Sequence, residues 1–137
     1  MGEAVRIGLV AVLLAMVPAA AAAQPYDGSA PMKCTIKTVM VCNDPDICVR
    51  GGAATVNLPP ILAVDVGQRL VSGAASGRTV KITTVSRDAG RLLLHGEELG
   101  LAGTAWNVVV VEASGAMSGA VLSHGGGFLM FGTCSST

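Results

Sequence analysis

Two histidines are the residues best suited to bind a metal or to transfer a proton. His95 stands in LLLHGEEL, close to Glu97 and Glu98, and His124 precedes three glycines. The H-x-x-x-H and H-x-H spacings of common metal sites are missing, so the two histidines would need the fold to bring them together. A histidine at the end of a strand is more often a solvated turn residue. We therefore expect no metal and no cofactor.

The remaining polar residues do not form a catalytic pattern. Ser123 is adjacent to His124, but adjacent residues of a strand point to opposite faces. There is no G-x-S-x-G nucleophile motif. Asp44 and Asp46 are turn carboxylates that lack the ligand series of a calcium loop. The glycines at 125–127 lack the Lys-Ser/Thr pair of a phosphate-binding loop. We therefore expect that the protein is not an enzyme.

Three aromatic side chains could contribute to binding. Trp106 begins a valine-rich run and shares one strand face with Val108 and Val110, which favours a place in the core. The alternative places Trp106 at the mouth of a pocket or on a contact surface. Phe128 and Phe131 face opposite sides of the last strand, so one should be less buried than the other. The candidate binding residues are Trp106, Phe128, Phe131, His95 and His124.

Four cysteines predict a framework of two disulfide bonds. An even number of cysteines in a small exported domain favours disulfides over free thiols. CTIKTVMVC, from Cys34 to Cys42, has the pattern of one strand, whose ends would lie roughly 26 Å apart, beyond disulfide reach. NDPDI then forms a turn that sets Cys42 opposite Cys48. The predicted bonds are Cys42–Cys48 and Cys34–Cys134, and the second ties the first strand to the last.

The amino terminus has the pattern of a secretory signal peptide. MGEAVR is short and charged, an uncharged apolar run follows from residue 7, and Ala21 and Ala23 precede Gln24 as an A-x-A cleavage site. The alternative is a retained membrane helix, but the run lies near the lower limit of about 20 apolar residues for a span. We predict a signal peptide at 1–23, a short flexible segment at 24–33, a single β domain at 34–137, and export to the periplasm or the extracellular space.

The charge balance excludes some partners. Glu3 and Arg6 lie in the predicted leader, so the nine basic and nine acidic residues of the full chain become eight of each. A neutral domain has no basic surface to neutralise phosphates, and we expect no nucleic-acid partner. No second long apolar run is present, so we expect no membrane span in the mature chain. We expect a monomer. A composition rich in Ala and Gly, with more Arg than Lys, fits a bacterial protein.

Short strands separated by turn residues predict an all-β fold. Strand patterns occur in CVRGGAATVNL, ILAVDVGQRLVSG, RTVKITTVS, LLLHG, TAWNVVVVEA, AVLSH and FLMFGTC. With the first strand, they suggest a small antiparallel up-and-down β-barrel of about eight strands, and a β-sandwich is the alternative. In the barrel, the Cys34–Cys134 bond would lie at the closing seam. GEELGLAG could hold one turn of helix.

These features favour an exported binding protein that works through loops or through a small apolar pocket, without catalysis. Its partner would be a protein or a small apolar ligand. The alternatives are a periplasmic inhibitor of a hydrolase, such as lysozyme or a protease, and a structural protein associated with the cell envelope. An inhibitor would use its loops, namely NDPD, GAASG, EELGLAG or HGGG.

Overall fold

A computed structural model describes Gly2, Met16 and residues 24–44, 46–75, 77–98 and 103–137. The predicted signal peptide, apart from Gly2 and Met16, lies outside these residues. The turn of helix predicted in GEELGLAG covers 96–103, of which 96–98 lie in a strand instead and 99–102 lie outside the described residues. Both features remain predictions.

The described chain is an all-β protein with ten strands and one short 3-10 helix at Ala53–Val56. The strands are β1 (Met32–Asp44), β2 (Ile47–Gly51), β3 (Ile61–Asp65), β4 (Leu70–Gly73), β5 (Thr79–Lys81), β6 (Thr84–Asp88), β7 (Arg91–Glu98), β8 (Thr104–Val111), β9 (Ala116–Ser123) and β10 (Gly126–Ser136). Every ladder between them is antiparallel.

One antiparallel sheet curls into a half-barrel. Nine strands follow the order β5-β4-β3-β1-β10-β9-β8-β7-β6, and β2 pairs with β1 outside this path. The prediction of a closed barrel of eight strands is therefore wrong, and the single sheet also excludes the sandwich. The strand count differs because two predicted strands are interrupted. A turn at 66–69 separates β3 from β4, and residues 82–83 separate β5 from β6.

The turn chemistry explains where several strands end. Between β6 and β7, Ala89 and Gly90 both adopt positive φ angles, of 47° and 74°. Two central residues with positive φ define the type I′ turn, whose twist matches that of the flanking strands. The predicted strand CVRGGAATVNL ends early, because the chain leaves β2 at Gly51 and forms the 3-10 helix. That helix and the residues after it then pack inside the curl of the sheet.

Both predicted disulfides are present. Cys34 and Cys134 are directly opposed in the β1–β10 ladder, with their Cα atoms 3.9 Å apart. Cys42 and Cys48 close the β1–β2 hairpin, with their Cα atoms 4.3 Å apart. However, β1 and β10 are neighbours in the middle of the strand order. The Cys34–Cys134 bond therefore crosses the centre of the sheet, and its predicted place at a closing seam is wrong.

The concave face of the sheet carries the core, and the chain before β1 packs against its edge. The most deeply buried side chains include Leu92, Leu94, Val39 and Val110. The amide of Tyr26 donates a hydrogen bond to the carbonyl of Glu112 (3.0 Å), which follows β8. The Arg87 guanidinium of β6 donates from Nε to the carbonyl of Asp27 (3.0 Å). These bonds attach the segment before β1 to the far end of the sheet.

Candidate ligand cavity

The curl of the sheet forms a cavity of about 350 Å³ that is open to solvent on one side. Its wall is formed by residues of β3, β4, β5, β7, β8, β9 and β10, by the end of the 3-10 helix and by the residues that follow it. Most of the lining side chains are apolar. They are Val56, Leu58, Pro59, Leu62, Val64, Val71, Val80, Leu94, Trp106, Val108, Met117, Val121, Phe128 and Met130.

The volume falls within the range of natural ligand sites, which is about 300 to 1,000 Å³. An apolar cavity of about 150 Å³ in another protein stays free of water and binds benzene, which has six carbon atoms. By proportion, this cavity of about 350 Å³ could hold about 14 non-hydrogen atoms.

Trp106 forms part of the wall because a glycine lies opposite it. Trp106 pairs with Gly96 across the β7–β8 ladder. A Cβ atom at position 96 would overlap Cζ2 and Cε2 of the indole and would lie 2.6 Å from the carbonyl oxygen of Lys81. The indole therefore packs directly against the backbone of Gly96 on β7. Within the described residues, its buried Nε1 has no hydrogen-bond partner, so this N–H is an unsatisfied donor.

The polar residues of the lining include one ion pair. Nη2 of Arg78, which precedes β5, lies 2.8 and 3.0 Å from the two carboxylate oxygens of Glu98, at the end of β7. Their side chains are 54% and 41% exposed, which places the pair at the rim of the cavity. The lining also includes three residues that carry hydroxyl groups, Ser72, Thr104 and Ser123.

The structure brings two of the predicted binding residues together and separates the other three. Trp106 is buried in the core, as favoured by the sequence, and it lines the cavity together with the partly buried Phe128. Phe131 lies on the opposite face and is 45% exposed, so the predicted difference between the two phenylalanines is confirmed. His95 Nδ1 lies 2.8 Å from Oδ1 of Asn107, and His124 is exposed in the β9–β10 turn.

Sequence reasoning missed most of the cavity wall and its rim. The strand pattern CVRGGAATVNL includes Leu58, whereas Leu58 and Pro59 follow the 3-10 helix and line the cavity. Met117 lies on β9 and Met130 on β10. Side chains of a strand alternate between its two faces, and this alternation could have placed both methionines on the concave face. Arg78 is separated from its partner by 20 residues, and no spacing rule connects them.

A second polar cluster lies outside the cavity, where the amino-terminal segment meets β6. Hydrogen bonds from Ser29 to the exposed Asp27 carboxylate, with the nearby charge of Arg87, lower the pKa of Asp27 below its ordinary value of 3.8. The Arg87 Nε atom also lies 3.4 Å from Oε1 of the buried Glu112. In the described ranges, no group of three His, Cys, Asp or Glu residues is arranged to hold a metal.

Comparisons with family models, with curated proteins and with solved structures found no match. Within the described part of the chain, no helix has the length and hydropathy needed to span a membrane. The two disulfides are consistent with an exported protein.

Proposed function

We propose that this protein binds a small apolar molecule in the cavity of its half-barrel, without catalysis, after export from the cell. The observation that carries the proposal is an apolar cavity of about 350 Å³ in a small domain. Interiors of small domains are usually packed without voids much larger than a water molecule. A cavity of this size loses contacts that a ligand would restore.

The wall chemistry supports an apolar ligand of modest affinity. At about 0.3 kcal/mol per atom, which is typical of drug-sized ligands, about 14 atoms contribute about 4 kcal/mol and give a Kd of about 1 mM. About twice that contribution per atom gives a Kd of about 1 µM. Both values are accessible to a titration followed by fluorescence.

Trp106 provides the readout, because it is the only tryptophan of the chain and lines the cavity. We would titrate the mature protein with 1-octanol, octanoate and octylammonium and follow the tryptophan emission. Native mass spectrometry of protein isolated from its natural source would show any retained small molecule. We expect at least one of the three probes to bind saturably with one-to-one stoichiometry.

A matched pair of variants tests where the probe binds. Val71 lines the cavity on β4 and is partly buried, so Val71→Phe should fill part of the volume and weaken binding about tenfold or more. Val111→Phe makes the same change on the convex face, where the side chain is 36% exposed, and should leave binding unchanged. The proposal fails if no probe binds, or if both variants weaken binding equally.

Inhibition of a hydrolase is the second candidate function, and the β1–β2 hairpin favours it. The Cys42–Cys48 bond closes this hairpin, and Ile47 and Val49 are 60% and 54% exposed on β2. A rigid loop with exposed apolar side chains is suited to a protein contact. If this candidate is correct, the protein should inhibit a lysozyme or a protease, and Ile47→Ser should abolish inhibition without changing the melting temperature. If the protein inhibits neither a lysozyme nor a protease, this candidate is wrong.

A further inference from the structure

We infer that the cavity selects uncharged ligands and discriminates against both anions and cations of the same length. This inference deepens the proposed function and depends on it. It concerns the head group of the ligand.

The first step concerns the interior. Among the lining residues that the structure describes, Arg78 and Glu98 are the only charged ones, and both lie at the rim. A ligand charge carried deeper would face Trp106, Val108 and other apolar side chains. An ionised group transferred from water to such surroundings loses its hydration and finds no counter-ion. The interior therefore disfavours a charge of either sign.

The second step concerns the rim. The Arg78 guanidinium is held by both carboxylate oxygens of Glu98, so each charge already faces an opposite one. A carboxylate head group would have to compete with Glu98, and an ammonium head group would have to compete with Arg78. The adjoining groove contains Lys81 and Glu97, so the wider rim also has two charges of each sign. A balanced rim attracts neither an anion nor a cation, whereas a hydroxyl group can stay hydrated there.

The experiment compares the three eight-carbon probes, which share one tail and differ only in the head group. At neutral pH we expect 1-octanol to bind about tenfold or more tightly than octanoate and octylammonium. Tryptophan emission measures all three affinities on the intact mature protein.

The variant Glu98→Gln tests whether the rim pair causes this discrimination. It removes the carboxylate that neutralises Arg78, so octanoate should bind severalfold more tightly while 1-octanol is unaffected. Asp88→Asn is the matched control, because it removes one negative charge from an exposed side chain that lines neither the cavity nor the adjoining groove. Because Glu98 is partly exposed, its substitution should not prevent folding. Equal melting temperatures of the two variants would show that both fold.

The possible results separate the inference from the proposed function. If octanoate or octylammonium binds the wild-type protein as tightly as 1-octanol, the inference is wrong and the proposed function stands. If Glu98→Gln leaves the gap between octanol and octanoate unchanged, the part of the inference that rests on the rim pair is wrong. If none of the three probes binds, the proposed function itself is wrong.

Discussion

The two disulfides should contribute unequally to stability, because they close loops of very different length. Cys34–Cys134 joins residues 100 positions apart, and Cys42–Cys48 joins residues 6 positions apart. In the chain-entropy model, the loss of the longer cross-link costs about 4.7 kcal/mol of unfolding free energy, and the loss of the shorter one costs about 2.2 kcal/mol. The longer bond is also fully buried at Cys34, so its removal leaves a cavity that adds to the difference.

The double variants C34A/C134A and C42A/C48A test this difference, each keeping the other bond intact. Equilibrium unfolding in urea gives the free energy for both variants and for the wild-type protein by linear extrapolation. We expect the first variant to lose about 2.5 kcal/mol more than the second. A domain of this size has about 5–15 kcal/mol in total, so the first variant should be close to unfolded in mild denaturant. Equal losses, or a larger loss in C42A/C48A, would refute the argument from loop length.

Two further predictions concern side-chain space and pH. Gly96→Ala should destabilise the protein by about 1–3 kcal/mol, because the new Cβ overlaps the indole ring. Gly67→Ala should change stability by less than about 0.5 kcal/mol, since its Cβ would meet only one carboxylate oxygen at 3.4 Å; equal losses in urea would contradict the packing argument. The lowered pKa of Asp27, which arises first from the Ser29 hydrogen bonds, means that the unfolded state binds more protons near its ordinary pKa of 3.8. Its stabilising effect is thus present above that pH and lost as the pH falls through the folded pKa, so Asp27→Asn should flatten the acid side of a melting-temperature profile; an unchanged acid side would contradict this argument.

Local patterns and chain reach were enough to predict the first strand and both disulfides. A strand through Cys34 and Cys42 holds these two sulfurs far apart, and a short hairpin brings Cys42 to Cys48. These constraints act over a few residues and do not depend on the rest of the fold. The buried position of Trp106 was predicted for a similar reason, because β-branched neighbours on alternating positions favour a strand with that face inward.

The curl of the sheet could not be predicted from local patterns. The break at residues 82–83 interrupts a run that alternates well, since β5 pairs with β4 while β6 pairs with β7. Only the positions of these distant partners decide where the strand divides. The rim pair of Arg78 and Glu98 depends on the same division, because it joins the segment before β5 to the end of β7.

Two glycines lie beneath two of the large side chains that line the cavity, Trp106 and Met130. A domain whose concave face carries many valines and leucines should fill its own interior, and a tryptophan should make this easier. In this sheet, Gly96 leaves room for the indole of Trp106 to lie along β7. Gly119 has the same relation to Met130, since a Cβ atom there would lie 2.6 Å from the methyl carbon of Met130. Both large side chains therefore cover the wall instead of crossing the interior, and the central volume stays open. The two glycines thus leave space for two side chains of the cavity wall, while Arg78 and Glu98 set the charge at its entrance.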